Sequence, residues 1–219
     1  MAKKRLSGLA FCAGSAATLL LSSGAVAGEP RPLLPEAVIS QVLDAEDKGL
    51  DKTSQRRLLH LLVDDPRAAV RIHAADATGD LSGVADAVFA QGILRKLSED
   101  SHGAVRSAAA RALGQRLRRL TGVSAMSCAA EWVFSRSATQ RECIAQAMLL
   151  TDEAVWNEHL LEQLITDESG AVRRAATRAL SRRYQAEPDR YGWLLSAALT
   201  DTDAKVRRLA QRVAAGRAA

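Results

Sequence analysis

Aromatic side chains are scarce in this chain: they make up 4% of it, against 47% for hydrophobic residues as a whole. A core for 219 residues must then be aliphatic, built from Ala, Leu and Val. The shortage argues against a sheet-based fold, because strands favour aromatic and β-branched residues. It also leaves few rings on which nucleic-acid bases would stack. Beyond the first residues, no stretch approaches the roughly 20 apolar residues that a membrane span needs. His-Glu-x-x-His, Gly-x-Ser-x-Gly and a phosphate-cradling Gly-Lys loop are all missing. The four histidines do not cluster, so spacing supports no metal site and no cofactor is expected. Charged residues, at 25%, are too ordinary in number for disorder to be the main state.

The N-terminal segment reads as an export signal and is set apart from the fold. Lys3, Lys4 and Arg5 form a basic start, and Leu6 to Leu21 is an apolar run diluted by Gly, Ala and Ser. Ala25, Val26 and Ala27 supply the small-x-small pattern of a cleavage site, so residues 1–27 are expected to be a signal peptide. The bland alternative is an anchoring helix that stays in place. The export reading puts the protein in a bacterial periplasm and lowers the formal charge from +5 to +2. It also removes Cys12, leaving Cys128 and Cys143 in an oxidising compartment.

What the rest of the chain does have is a repeat. Asp65 to Arg71, Asp100 to Arg106, Asp167 to Arg173 and Asp201 to Arg207 share one pattern: an Asp five residues before a Val, then an Arg. The Val anchors are Val70, Val105, Val172 and Val206, and a degenerate fifth copy centres on Gln140 and Arg141. The flanks repeat too. Ala74, Ala109, Ile144, Ala176 and Ala210 follow each anchor by four residues, and Ala77, Ala112, Ala147, Ala179 and Val213 by seven. Upstream lie the pairs Leu59/Leu62, Leu94/Leu97, Ala129/Trp132, Leu161/Leu164 and Leu195/Ala198. Spacings of three and four put each set on one helical face. Each unit therefore predicts a helix, a tight turn at the Asp, and a second antiparallel helix. No such hairpin buries its apolar stripe alone, so stacking must do it.

This pattern resembles the HEAT repeat, in the short variety also found in phycobilin lyases. Ala109-Ala110-Arg111-Ala112-Leu113-Gly114 and Ala175-Ala176-Thr177-Arg178-Ala179-Leu180 look like the family's second helix. The resemblance implies an all-α solenoid of about five helical hairpins over residues 52–219. It also implies a concave face lined by second helices; such arrays serve many unrelated roles, and the lack of a catalytic constellation together with export makes a scaffold or adaptor the expectation rather than an enzyme. A lyase-like enzyme or enzyme subunit acting on a bound ligand is the alternative that the same resemblance allows. Residues 28–51 do not fit the repeat: Pro30, Pro32 and Pro35 suggest an extended lead-in, and Glu36 to Glu46 a capping helix.

Several residues invite a functional reading beside a structural one. Asp65, Asp100, Asp167 and Asp201 are expected to cap second helices, and Arg71, Arg106, Arg173 and Arg207 to bond loop carbonyls or a neighbouring Asp, as a structural ladder. Arg111, Arg178 and Arg212 lie six residues past their anchors, and Arg174 and Arg208 two past, which lines them up across stacked repeats. Residues 170–219 hold eleven Lys or Arg against four Asp or Glu, while 28–69 hold six against eight. These five arginines are thus candidates for binding a protein partner through an acidic segment, or are simply a solvated face. Nucleic acid fits poorly with export, with the low mature charge and with few aromatics. Cys128 and Cys143 fall in matched apolar columns of the degenerate repeat, as a candidate disulfide or as two small buried hydrophobes. His73 reads as a packed interior histidine, His60 and His159 as solvent-facing, and His102 as a turn residue. Trp132 fills the third repeat in place of a Leu, while Trp156 and Trp193 are weak candidates for surface anchors.

Overall fold

The computed structural model describes residues 51–81, 84–120, 122–151 and 158–216. The signal peptide expected over 1–27 and the capping helix expected over Glu36 to Glu46 lie outside the described residues, as does Trp156. Among the described residues there are ten α-helices and no strand. They form five hairpins: α1 (Lys52–Leu62) with α2 (Ala68–Asp80), α3 (Val84–Ser98) with α4 (Gly103–Arg119), and α5 (Gly122–Val133) with α6 (Ala138–Ala147). A single 3-10 turn at Met148–Leu150 follows α6. The last two pairs are α7 (Glu158–Ile165) with α8 (Gly170–Ala186), and α9 (Pro188–Leu199) with α10 (Ala204–Ala214).

Local chemistry starts and stops these helices. Asp51 caps α1, its Oδ1 accepting from the Thr53 and Ser54 N–H groups at 2.9 and 3.1 Å. Pro188 opens α9, where its fixed φ suits the first turn and its missing N–H costs nothing. The turns before the second helices are near copies. Arg67, His102, Ser137, Ser169 and Asp203 stand at the N-cap with φ between −80° and −87° and ψ between 117° and 121°. The degenerate third repeat keeps this geometry.

Second helices stack in succession, α2 on α4, α4 on α6, α6 on α8 and α8 on α10, and each also packs on its own hairpin partner. The columns read from the sequence are the core. Every Leu, Ala or Trp of the upstream pairs is buried, as are Val70, Val105, Val172 and Val206 and all five residues that follow the anchors by four. Small residues let backbones meet: a Cβ on Gly114 would lie 3.1 Å from the Ala147 carbonyl oxygen across the α4–α6 seam. Each fully buried Leu contributes about 1.5–3 kcal/mol. The array is an all-α solenoid whose core is a continuous aliphatic seam.

Candidate functional site: the inter-repeat ladder and a basic groove

The recurring Asp does not cap its helix directly. It stands two residues before the N-cap and accepts that residue's N–H: Asp65 from Arg67 at 2.9 Å, Asp100 from His102 at 2.8 Å, Asp167 from Ser169 at 2.8 Å and Asp201 from Asp203 at 2.6 Å. This fixes the loop, and in Asp100, Asp167 and Asp201 both carboxylate oxygens also accept from an arginine of the previous repeat. Arg71 reaches Asp100 through Nε at 2.6 Å and Nη2 at 2.9 Å, and Arg173 reaches Asp201 at 2.7 and 2.9 Å. Arg141, of the degenerate copy, does the same to Asp167 at 2.6 and 3.1 Å. Each of these arginines also donates Nη1 to two carbonyls of its own loop, as Arg173 does to Asp167 and Glu168 at 2.7 and 3.0 Å. Asp65 receives a fork from within its own loop, from Arg67.

The ladder has a gap. Arg106 and Arg207 keep their two loop carbonyls, but neither meets a carboxylate among the described residues. For Arg106 the reason is Ser135, which stands where the third repeat would supply its Asp. Ser135 Oγ accepts the Ser137 N–H at 3.2 Å, so the loop is still held. It also donates to Gln140 Oε1 at 2.8 Å, the residue that replaces the anchor Val. Gln140 in turn takes a bond from Arg95 at 2.7 Å and donates to Glu99 at 2.9 Å.

Ionisation follows the ladder. Hydrogen bonds from Arg67 and from Arg71 hold the Asp65 and Asp100 carboxyl groups below the ordinary value. Burial pulls Asp201 upward, but the bonds from Arg173 and from the Asp203 N–H outweigh it and leave the group lowered. Hydrogen bonds to Asp100, Asp167 and Asp201 push the Arg71, Arg141 and Arg173 guanidinium groups up in turn. These groups are locked in ion pairs and hold structure; none faces a cavity as a free acid or base.

The basic stripe divides. Arg174 and Arg178 on α8, with Lys205, Arg208 and Arg212 on α10, line one open groove above Leu209, and no carboxylate lines it. Arg174 is tied to Asp203 at 2.5 Å. Arg178, Lys205, Arg208 and Arg212 are exposed or edge residues with no side-chain partner among the described residues. Arg111 is elsewhere, on α4, paired with Asp76 of α2 at 3.3 Å. The column explains this: its members are Asp76, Arg111, Gln146, Arg178 and Arg212, so only the last two repeats are basic side by side. Lys205 was not singled out by its sequence position, although it lies one turn before Arg208 on the same face.

Other candidates fall out differently from the sequence reading. Both thiols are free: Cys143 is buried in α6, whereas Cys128 is half-buried and faces a cleft formed with α3 and α4. The candidate disulfide is not formed, which leaves the alternative of two separate thiols, one of them only half-buried. Burial pushes the pKa of both thiols up and disfavours the thiolate, so neither is an activated thiol. His73, expected inside, is exposed, because no described repeat covers that side of the first hairpin. His60 and His159 are exposed, and His102 sits in its turn with Nδ1 accepting from the Ala104 N–H at 3.3 Å. Trp132 is wholly buried under the Arg95 guanidinium, and Trp193 is 48% exposed.

No family model matches the sequence, and no curated protein matches it. The fold is similar to that of AlkD2 from Streptococcus mutans, with a TM-score of 0.65, 16% identity, and coverage of 93% of this chain and 97% of that one. Weaker likenesses join it to the YibA protein of Escherichia coli, with a TM-score of 0.46, 18% identity, and coverage of 97% and 76%. A designed armadillo repeat protein gives a TM-score of 0.42, 16% identity, and coverage of 90% and 97%. The likeness to AlkD2 shows the helical-repeat fold alone.

Proposed function

We propose that this chain is an exported, HEAT-like interaction module that captures an acidic segment of a protein partner in the groove between α8 and α10. One observation carries the reading: of five cationic side chains from two neighbouring helices that line one groove, four have no counter-charge among the described residues. Such a cluster repels itself, so its natural complement is an anion that meets several members at once. Arg174 and Arg178 stand one turn apart, about 6 Å along the axis, and Arg208 and Arg212 likewise. Alternate residues of an extended chain repeat at about 6.6 Å, so carboxylates at every second position match either row. Export is supported by the basic start, the apolar run and the small-x-small end of residues 1–27.

The test uses a fluorescein-labelled peptide of alternating Asp and Ser, read by anisotropy against the full chain. Capture is expected at low salt and should fade as the screening length falls from about 10 Å at 0.1 M to about 3 Å at 1 M. Arg178→Glu with Arg212→Glu should abolish it while helicity and melting stay unchanged. Undiminished capture by that variant would rule out the groove. Tighter capture of a single-stranded oligonucleotide than of the peptide, at matched salt, would replace the acidic protein with nucleic acid as the partner.

A further inference from the structure

A second concavity lies far along the array from the basic groove and has a different character. It is a cleft of about 710 Å³ bounded by α3, α4 and α5, within the size range of small-molecule sites. Its walls are mainly aliphatic, with Leu81, Leu94, Leu113 and Leu120 among them. Arg116 enters from α4. Its Nη1 donates to the Leu81 carbonyl at 2.8 Å, and its remaining N–H groups have no partner among the described residues. The residue is half-buried, and desolvation, with repulsion from Arg119, outweighs the attraction of Asp86 and pulls its pKa down, so the guanidinium is short of water and has no carboxylate bonded to it among the described residues.

The other charges at this cleft are already matched. Arg119 donates to the Gly79 carbonyl at 2.6 Å and to Asp80 at 2.9 Å. Glu131, at the rim, accepts from Gln91 at 2.6 Å and faces Arg95 at 3.6 Å. Among the described residues the one unmatched charge is thus positive, and it sits on an apolar wall. A neutral apolar guest would leave the guanidinium unpaired in a drier site, and a small polar anion would leave Leu120 and Val123 wet.

We infer that this cleft binds a small amphipathic anion, an apolar body against Ala87, Leu120 and Val123 with its carboxylate on the Arg116 fork. A planar guanidinium takes a carboxylate with two parallel hydrogen bonds, which fixes the head group while the walls select an aliphatic body. Cys128 lines the same cleft and serves as its reporter. The inference is independent of the partner proposed for the α8–α10 groove.

The experiment titrates decanoate and decan-1-ol into the full chain by calorimetry and follows Cys128 alkylation by iodoacetamide at the peptide level. Decanoate should bind saturably, at least about tenfold more tightly than the alcohol, and should protect Cys128. Arg116→Gln should erase the preference for the acid. Ser124→Trp, at an exposed rim position, should block the cleft without touching the core and remove binding altogether. The Arg178→Glu with Arg212→Glu variant should bind decanoate as the parent does. Equal affinity for acid and alcohol, absent binding, or decanoate binding that survives Ser124→Trp would overturn the inference. So would loss of binding in the groove variant, which would place the anion in the basic groove instead.

Discussion

Truncating Arg173 and Arg106 separately isolates the contribution of an inter-repeat rung, because the two side chains differ in one partner. Both donate Nη1 to two carbonyls of their own loop. Only Arg173 adds a forked pair across the seam, to Asp201, with side-chain exposures of 14% and 6%. Arg106→Ala removes loop bonds that water can partly replace, at a cost of about 1–2 kcal/mol. Arg173→Ala also strands a carboxylate that is almost fully covered, and breaking such a pair costs about 3–5 kcal/mol. Urea titration followed by circular dichroism should therefore separate the two variants by about 2–3 kcal/mol with the denaturant slope unchanged. Adding Asp201→Ala to Arg173→Ala should cost less than the two single losses together, since neither charge is then left alone. Equal costs for Arg106→Ala and Arg173→Ala would refute the claim that the rung, and not the loop bonding, joins neighbouring repeats.

Two more expectations follow from the same contacts. Asp65, Asp100 and Asp201 titrate below their ordinary value of 3.8 when folded, so the stability they add is fully present above that value and drains away as pH falls through the lowered folded ones. The urea midpoint should drop as pH falls below about 4, and Asp100→Asn with Asp201→Asn should flatten that drop; an unchanged slope in the double variant would mean other groups carry it. Trp132 has no exposed surface and stands where other repeats hold Leu or Ala, so Trp132→Ala should cost about 3–5 kcal/mol in the same titration. A loss under about 1 kcal/mol would mean the third repeat collapses freely around the gap.

The fold was legible because the repeat constrains it redundantly. Leu94, Leu97, Ala109 and Ala112 stand in columns that are apolar in all five copies, and Val105 in one that is apolar in four, and such a column has one physical use. Contacts across the seam were less legible. Arg71 and Asp100 lie 29 residues apart, and spacing along one helix does not tell which neighbour's loop an arginine reaches. The exact place of the Asp, two residues ahead of the N-cap, was hidden because an Asp there and an Asp at the cap leave the same letters before the same helix. Offsets grouped Arg111 with Arg178 and Arg212 correctly as a column, but they did not show that Asp76 neutralises the first of them. The two cysteines misled for a related reason: membership of an apolar column says that a side chain points inward, not that it points toward another. The Arg116 cleft left no trace in the sequence, since it arises where three helices fail to close on one another.

Ser135 and Gln140 look like decay of the motif when the repeat is read as text. In three dimensions they satisfy each other, hydroxyl to amide oxygen, and the amide then serves Arg95 and Glu99. Returning Asp to 135 alone would set a carboxylate against that amide oxygen, and returning Val to 140 alone would abandon three polar groups at once. The two positions are therefore coupled: an Asp at 135 would offer Arg106 the carboxylate it lacks among the described residues, but only a matching change at 140 would clear the amide oxygen from its way.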